Sequence, residues 1–164
     1  MEILVWLLQV HKQVKIERLA AIFPVPIKFE NRRRHIQRFL KLKSLSISLT
    51  WLPLIKAIVQ QKSKAWQRLY LAIDRIQWQE KNLFVIAVII SRRAIPVYWQ
   101  FLEKRGASNL AEQQALLRPV LKLLNEYNLV ILGDREFHSI KLAKWLKSRR
   151  VSFVFRQKKD TYIK

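Results

Sequence analysis

Leu69-Tyr70-Leu71-Ala72-Ile73-Asp74-Arg75 is the stretch on which the fold turns. Leu69, Leu71 and Ile73 alternate with Tyr70, Ala72 and Asp74, which is the period-two pattern of a strand. A strand buried in a sheet does not end on a bare carboxylate without a cause. Such a group, buried alone, costs several kcal/mol or shifts its pKa until it is neutral. Asp74 is therefore either a strand end facing water or a ligand for a metal ion. The same arrangement returns sixty residues later at Leu129-Val130-Ile131-Leu132-Gly133-Asp134-Arg135.

Outward from the first stretch, Leu83 to Ile90 is an unbroken Val/Ile-rich run that suits a strand covered on both faces. Ala94 to Phe101 alternates as a third strand, edge-like because of Pro96. With Leu69–Asp74 these form an antiparallel meander. Ser108 is placed to cap a helix over Asn109 to Asn125, which Pro119 is expected to kink or divide. The second Asp-ended strand follows, then a helix over His138 to Arg149 and a fifth strand over Val151 to Arg156. A meander followed by right-handed crossovers is the ribonuclease-H-like order, α/β with a mixed sheet. In that order the first and fourth strands lie parallel and adjacent, so Asp74 and Asp134 meet at their carboxyl ends.

Upstream, residues 2–23 carry two apolar helical stripes: Ile3, Leu4, Leu7 and Leu8, then Ile16, Leu19, Ala20 and Phe23. Pro24-Val25-Pro26 closes the second. A third helix is expected over Asn31 to Leu42 with Asn31 as N-cap, and a fourth over Trp51 to Val59. The third sets Arg32, Arg33, Arg34, Arg38 and Lys41 beside Ile36, Phe39 and Leu40. This basic helix is either a DNA-docking element or a solvated cationic face. The polar run Gln60 to Gln67 is the expected boundary, giving a helical module over 1–66 and a partial catalytic domain over 67–164.

The formal net charge is +21 over 164 residues. Residues 1–66 hold 13 Lys/Arg against 3 acids and the rest 19 against 8, so the excess is spread over the whole chain. Such a field attracts a polyanion, nucleic acid first. The absence of Cys removes disulfides and thiolate metal sites and suits a reducing cytosol. Three dispersed His argue against zinc. Ile3–Val10 and Leu83–Ile90 are far shorter than the ~20 apolar residues of a membrane span. No membrane partner is expected.

Two neighbouring carboxylates repel each other unless a cation lies between them. Oxygen ligands favour Mg²⁺ or Mn²⁺. Paired ions ~3.5–4 Å apart suit phosphoryl transfer, activating the attacking oxygen and stabilising the leaving one. In that setting Lys and Arg hold the DNA backbone.

At these residues the chain resembles a family. Leu71-Ala72-Ile73-Asp74-Arg75-Ile76-Gln77-Trp78 is similar to the first-aspartate motif of DDE insertion-sequence transposases of the IS-four group. Gly133-Asp134-Arg135-Glu136-Phe137-His138-Ser139 is similar to their second. The helix around Leu142–Leu146, the stretch Phe153-Val154-Phe155-Arg156-Gln157-Lys158-Lys159 and the basic segment Arg32 to Leu40 extend the resemblance through most of the chain. It implies cut-and-paste transposition, with metal-dependent cleavage at element ends and strand transfer into target DNA. Asp74 and Asp134 would be the catalytic metal ligands, for Mg²⁺ or Mn²⁺. Arg32, Arg33, Arg34, Arg38, Arg75 and Arg135 would face DNA. Arg135 is open to a second role, buttressing the site or pairing with Glu136 or Glu80. The expected partners are double-stranded DNA, as element ends and target, and a second copy of the chain on that DNA. The expected location is the cytoplasm, on the nucleoid.

These transposases also need a Glu on a later helix, after a β-rich insertion. The sequence stops at Lys164, and Asp160 is a poor substitute. The expectation is therefore a C-terminally truncated copy that binds DNA, is catalytically poor alone and exposes apolar surface. Three rivals stand beside it: a non-catalytic DNA-binding regulator of transposition, a basic RNA-binding protein and a different ribonuclease-H-like nuclease.

Overall fold

A computed structural model of the protein describes residues 2–103 and 106–157, the side chain of Trp78 excepted. Asp160 and Lys158-Lys159 lie outside the described residues. The chain divides into two compact units, one ending at Thr50 and the other beginning at Trp51. The Gln60–Gln67 run, read as the boundary, therefore falls inside the second unit.

The first unit holds helices α1 (Glu2–His11), α2 (Ile16–Ile22) and α3 (Phe29–Leu40). Their apolar stripes meet in a small core of Leu7, Leu19, Ala20, Phe23 and Ile36. Lys28, not Asn31, occupies the N-cap of α3, and no side chain caps it there. Asn31 sits one turn too late because Phe29 and Glu30 are already helical. A π-helical turn, Ile47–Trp51, leads into α4 (Leu52–Lys62) of the second unit, with Pro in its first turn.

The second unit is a five-stranded sheet in the order β3-β2-β1-β4-β5. Its strands are β1 (Arg68–Trp78), β2 (Lys81–Ile90), β3 (Arg93–Leu102), β4 (Asn128–Gly133) and β5 (Ser152–Phe155). β2 runs antiparallel to β1 and β3, and β4 runs parallel to β1 and β5. This is the ribonuclease-H-like mixed sheet. Helices α5 (Leu110–Leu123) and α6 (Ile140–Ser148) supply the crossovers. Pro96 sits at a register shift on the outermost strand β3, where a missing N–H breaks no ladder.

Alternation decides the faces. Leu69, Leu71 and Ile73 join Phe84, Ile86 and Val88 of β2 and Leu129 and Ile131 of β4 in one core. Leu116, Leu117 and Val120 of α5, Leu142 and Leu146 of α6, and Ile55 and Val59 of α4 complete it. Trp51, at the start of α4, sets its ring edge-on to Trp99 and donates its indole N–H to the Pro96 carbonyl at 3.0 Å. On the opposite face of the sheet, Tyr70, Ile76 and Val154 remain 40–62% exposed.

Two local expectations shift. Asn109, rather than Ser108, caps α5 through a capping box with Glu112, at 3.0 Å and 2.8 Å. The helix runs through Pro119 undivided. Ser108 has a different task, described next.

Candidate active site

β1 and β4 pair in register from Arg68↔Asn128 to Ile73↔Gly133. Asp74 and Asp134 are each the next residue along. Neighbouring strands lie ~4.8 Å apart, so the two aspartates leave the sheet at adjacent positions. Alternation explains the direction of Asp74: Ile73 is buried and Asp74 is exposed. Asp134 is exposed as well. Each carboxylate accepts from the chain just beyond it. Asp74 Oδ1 takes the Arg75 N–H at 2.7 Å, and Asp134 Oδ1 takes the Glu136 N–H at 2.9 Å.

Gly133 allows this approach. A Cβ built there would stand 3.0 Å from both the Phe137 Cβ and the Phe155 ring. Asp134 then N-caps a short 3₁₀ turn, Arg135–Phe137, which buries Phe137 against Phe84.

Behind the aspartates runs a polar chain that sequence reasoning did not foresee. The Arg75 guanidinium pairs through Nε with Glu136 Oε2 and donates from NH1 to Asn82 Oδ1 at 3.1 Å. The other oxygen of Glu136 accepts from the Ser108 N–H at 3.0 Å and its hydroxyl at 2.8 Å. Gln113 Nε2 donates to that hydroxyl at 2.9 Å, and Asn82 Nδ2 donates to the Gly106 carbonyl at 3.0 Å. The side chains of Arg75 and Glu136 are 23% and 11% exposed, and Asn82 is fully buried. The network thus ties β1, β2, the loop after β3 and the turn after β4 together, immediately beneath the aspartate pair. The signal available in sequence was Glu136 itself, two residues after Asp134. Glu136 pairs with Arg75 rather than with Arg135, which is exposed.

The donor set can be compared with what a divalent ion needs. Among the described residues no group of three His, Cys, Asp or Glu is placed to hold a metal. Mg²⁺ commonly takes one or two carboxylates and fills its shell with water and phosphate oxygens. Two exposed carboxylates at adjacent positions fit that habit.

The basic helix α3 divides its arginines between two uses. Arg32 NH1 donates to the Ala21 and Phe23 carbonyls at 3.3 and 3.2 Å, closing the end of α2. Arg33 pairs with Glu30 at 3.1 Å, one turn back. Arg34 and Arg38, four residues apart on one helical face, are exposed.

The mixed ribonuclease-H-like sheet thus sets two carboxylates where the parallel pairing of β1 with β4 ends. Residues 102–164 match a sequence family described as a transposase DDE domain. The match takes in Asp134 but begins after Asp74, and it does not distinguish the insertion-sequence group. No curated protein matches the chain. Among solved structures the chain is similar to the catalytic domain of Mos1 mariner transposase, at 13% identity and a TM-score of 0.39, over 66% of this chain and 58% of that one. It is also similar to the Mos1 strand transfer complex, at 12% identity and 0.33, over 92% and 56%. A pre-cleavage Mos1 transpososome gives 10% identity and 0.36, over 92% and 57%. The chain thus spans somewhat more than half the length of these structures. The fold assignment rests on strand order and direction, not on these likenesses.

Proposed function

We propose that the chain acts in DNA transposition, as the DNA-binding part and two-carboxylate core of a DDE transposase of the insertion-sequence type. One observation carries the reading: Asp74 and Asp134 stand one residue past the last in-register pair of two adjacent parallel strands. Asp74 and Asp134 would hold Mg²⁺ or Mn²⁺, which when bound supplies activation of the attacking oxygen and stabilisation of the leaving one. The Arg75–Glu136 pair holds the two aspartate-bearing segments together. It also keeps a third carboxylate, Glu136, neutralised and turned to Ser108 rather than adding its charge to the pair. Arg34, Arg38 and Arg135 are the exposed members of the DNA-facing set. Arg32, Arg33 and Arg75 contribute through the structures they brace.

The partners are element-end and target duplexes, with a homodimer on DNA and a nucleoid location in the cell. No helix among the described residues is long and apolar enough to cross a membrane. Because the described residues bring together two carboxylates, cleavage by this chain alone is expected to be weak while DNA binding is retained. The test is Mg²⁺-dependent nicking of element-end DNA, run beside a binding assay. Binding with faint, metal-dependent nicking that disappears in Asp74→Asn and Asp134→Asn is the expected result. Nicking unchanged in both variants overturns the site. Robust nicking abolished by Asp134→Ala keeps the site and overturns the weakness.

A second reading, a DNA-binding regulator without cleavage, is favoured by the compactness of the first unit. The unit has its own core and carries the exposed Arg34 and Arg38, so it does not require the sheet to engage DNA. End-specific binding with no nicking under any divalent ion favours this reading.

A further inference from the structure

At the other end of the same strands is a cleft that the aspartate site does not use. It encloses about 690 Å³ where β4 begins, between the end of α5 and the turn after α6. Arg118, Lys122, Arg149 and Arg150 line it, with no Asp or Glu among its lining residues. All four cationic residues are exposed. Arg149 lies over the Trp145 ring at 4.8 Å, and Arg118 donates to Gln114 at 3.1 Å. Both contacts fix a guanidinium without neutralising it. Asp74 lies six residues further along β1 from Arg68, about 20 Å at ~3.3 Å per residue.

Trp66 stands at this cleft, and its setting is unusual. It is 75% exposed, the most exposed tryptophan described. Its φ is 64°, a left-handed backbone that non-glycine residues seldom adopt. The conformation is held from both sides: its N–H donates to the Glu126 carbonyl at 3.0 Å, and its carbonyl accepts from Asn128 Nδ2 at 2.6 Å. A strained, tethered backbone thus holds a large indole out in water beside four cations. An aromatic platform beside a positive groove is the arrangement that recognises unpaired nucleotides, phosphates on the cations and a base on the ring.

We propose that this cleft binds single-stranded DNA, with the sugar–phosphate backbone along Arg118, Lys122, Arg149 and Arg150 and one base stacked on Trp66. Duplex DNA keeps its bases stacked inside and offers the ring only the faces of its end pairs, so the ring is the element that tells the two forms apart. The site stands whether or not the aspartate pair cuts DNA.

The experiment is fluorescence anisotropy with a labelled single strand and a blunt duplex of equal length, in EDTA, over a salt series. Working without divalent ions separates this test from any failure of the cleavage reading. Trp66→Ala is expected to weaken single-strand binding about tenfold and duplex binding far less, with Trp66→Phe restoring most of the loss. Arg118→Ala with Lys122→Ala is expected to lower the single-strand salt slope by about 1.4, at ~0.7 per phosphate contact. Arg93→Ala with Lys144→Ala, two exposed cations elsewhere on the same unit, controls for net charge alone. Equal losses on both DNAs in Trp66→Ala, or a slope change no larger than the control's, overturns the proposal. All these side chains are exposed, and unchanged melting curves confirm that folding is intact.

Discussion

Asp74-Arg75 and Asp134-Arg135 are the same dipeptide just past the point where two neighbouring parallel strands stop pairing, and their two arginines do opposite things. Arg75 lies across from the buried Phe84 and pairs with Glu136 in a part-buried network. Arg135 is exposed. The cause is where each strand stops. β1 continues to Trp78 along β2, so alternation carries on past Asp74 and returns Arg75 to the covered face. β4 stops at Gly133, and the chain enters a 3₁₀ turn that sends Phe137 inward and Arg135 outward. Equivalent motifs therefore share the placement of the aspartate and not the setting of the arginine. The role of a motif residue beyond its strand depends on the ladder it continues in.

The comparison breaks most visibly at Arg75. Arg75→Ala leaves Glu136 nearly buried without its cation, and about 2–4 kcal/mol of unfolding free energy is expected to be lost in urea titration. Arg75→Met with Glu136→Leu is expected to recover much of that stability, since a buried pair is often replaceable by apolar side chains of similar size. If Arg75→Ala costs nothing, the network does not bind the two strands and the contrast with Arg135 falls.

Gly133→Ala comes next. Its new Cβ would press on Phe137 and Phe155, at a cost of about 1–3 kcal/mol from overpacking. The strain falls one residue before Asp134, so divalent-ion affinity should drop with stability. A variant that loses stability and keeps its affinity for Mn²⁺ would show that Asp134 is positioned independently of Gly133. Asn109→Ala removes the capping box of α5 and is expected to cost about 1 kcal/mol in the same titration. This places it below both changes beside the aspartates.

How far the sequence carried is clearest at these same residues. The alternation of Leu69, Leu71 and Ile73 is a local pattern, and so are the Asp-ended strands and the helix–strand order. Together they were enough for the sheet order and for the parallel register that sets Asp74 and Asp134 at adjacent positions. The extension of β1 to Trp78 was not legible, because Asp74 to Gln77 has no apolar alternation of its own and is held by the β2 ladder. The α5 cap was assigned to Ser108 because Ser and Asn are both good caps. Only the long-range contact with Glu136 explains why Ser108 is used elsewhere. The unit boundary was placed at a polar run, whereas Ile55 and Val59 bury α4 with the sheet, through contacts remote in sequence.

The smallest effect sharpens the comparison from the other side. Arg135→Ala removes an exposed guanidinium, so the melting temperature should not move. If Arg135 faces a phosphate, the variant should bind duplex DNA with a salt slope lower by about 1, roughly uniformly across sequences. Arg75→Lys is the partner measurement: it keeps the charge but loses the planar fork that reaches both Glu136 and Asn82. It should shift stability while leaving the salt slope unchanged. A salt slope that falls in Arg75→Lys and stays fixed in Arg135→Ala would reverse the assignment and make the strand-embedded arginine the DNA contact.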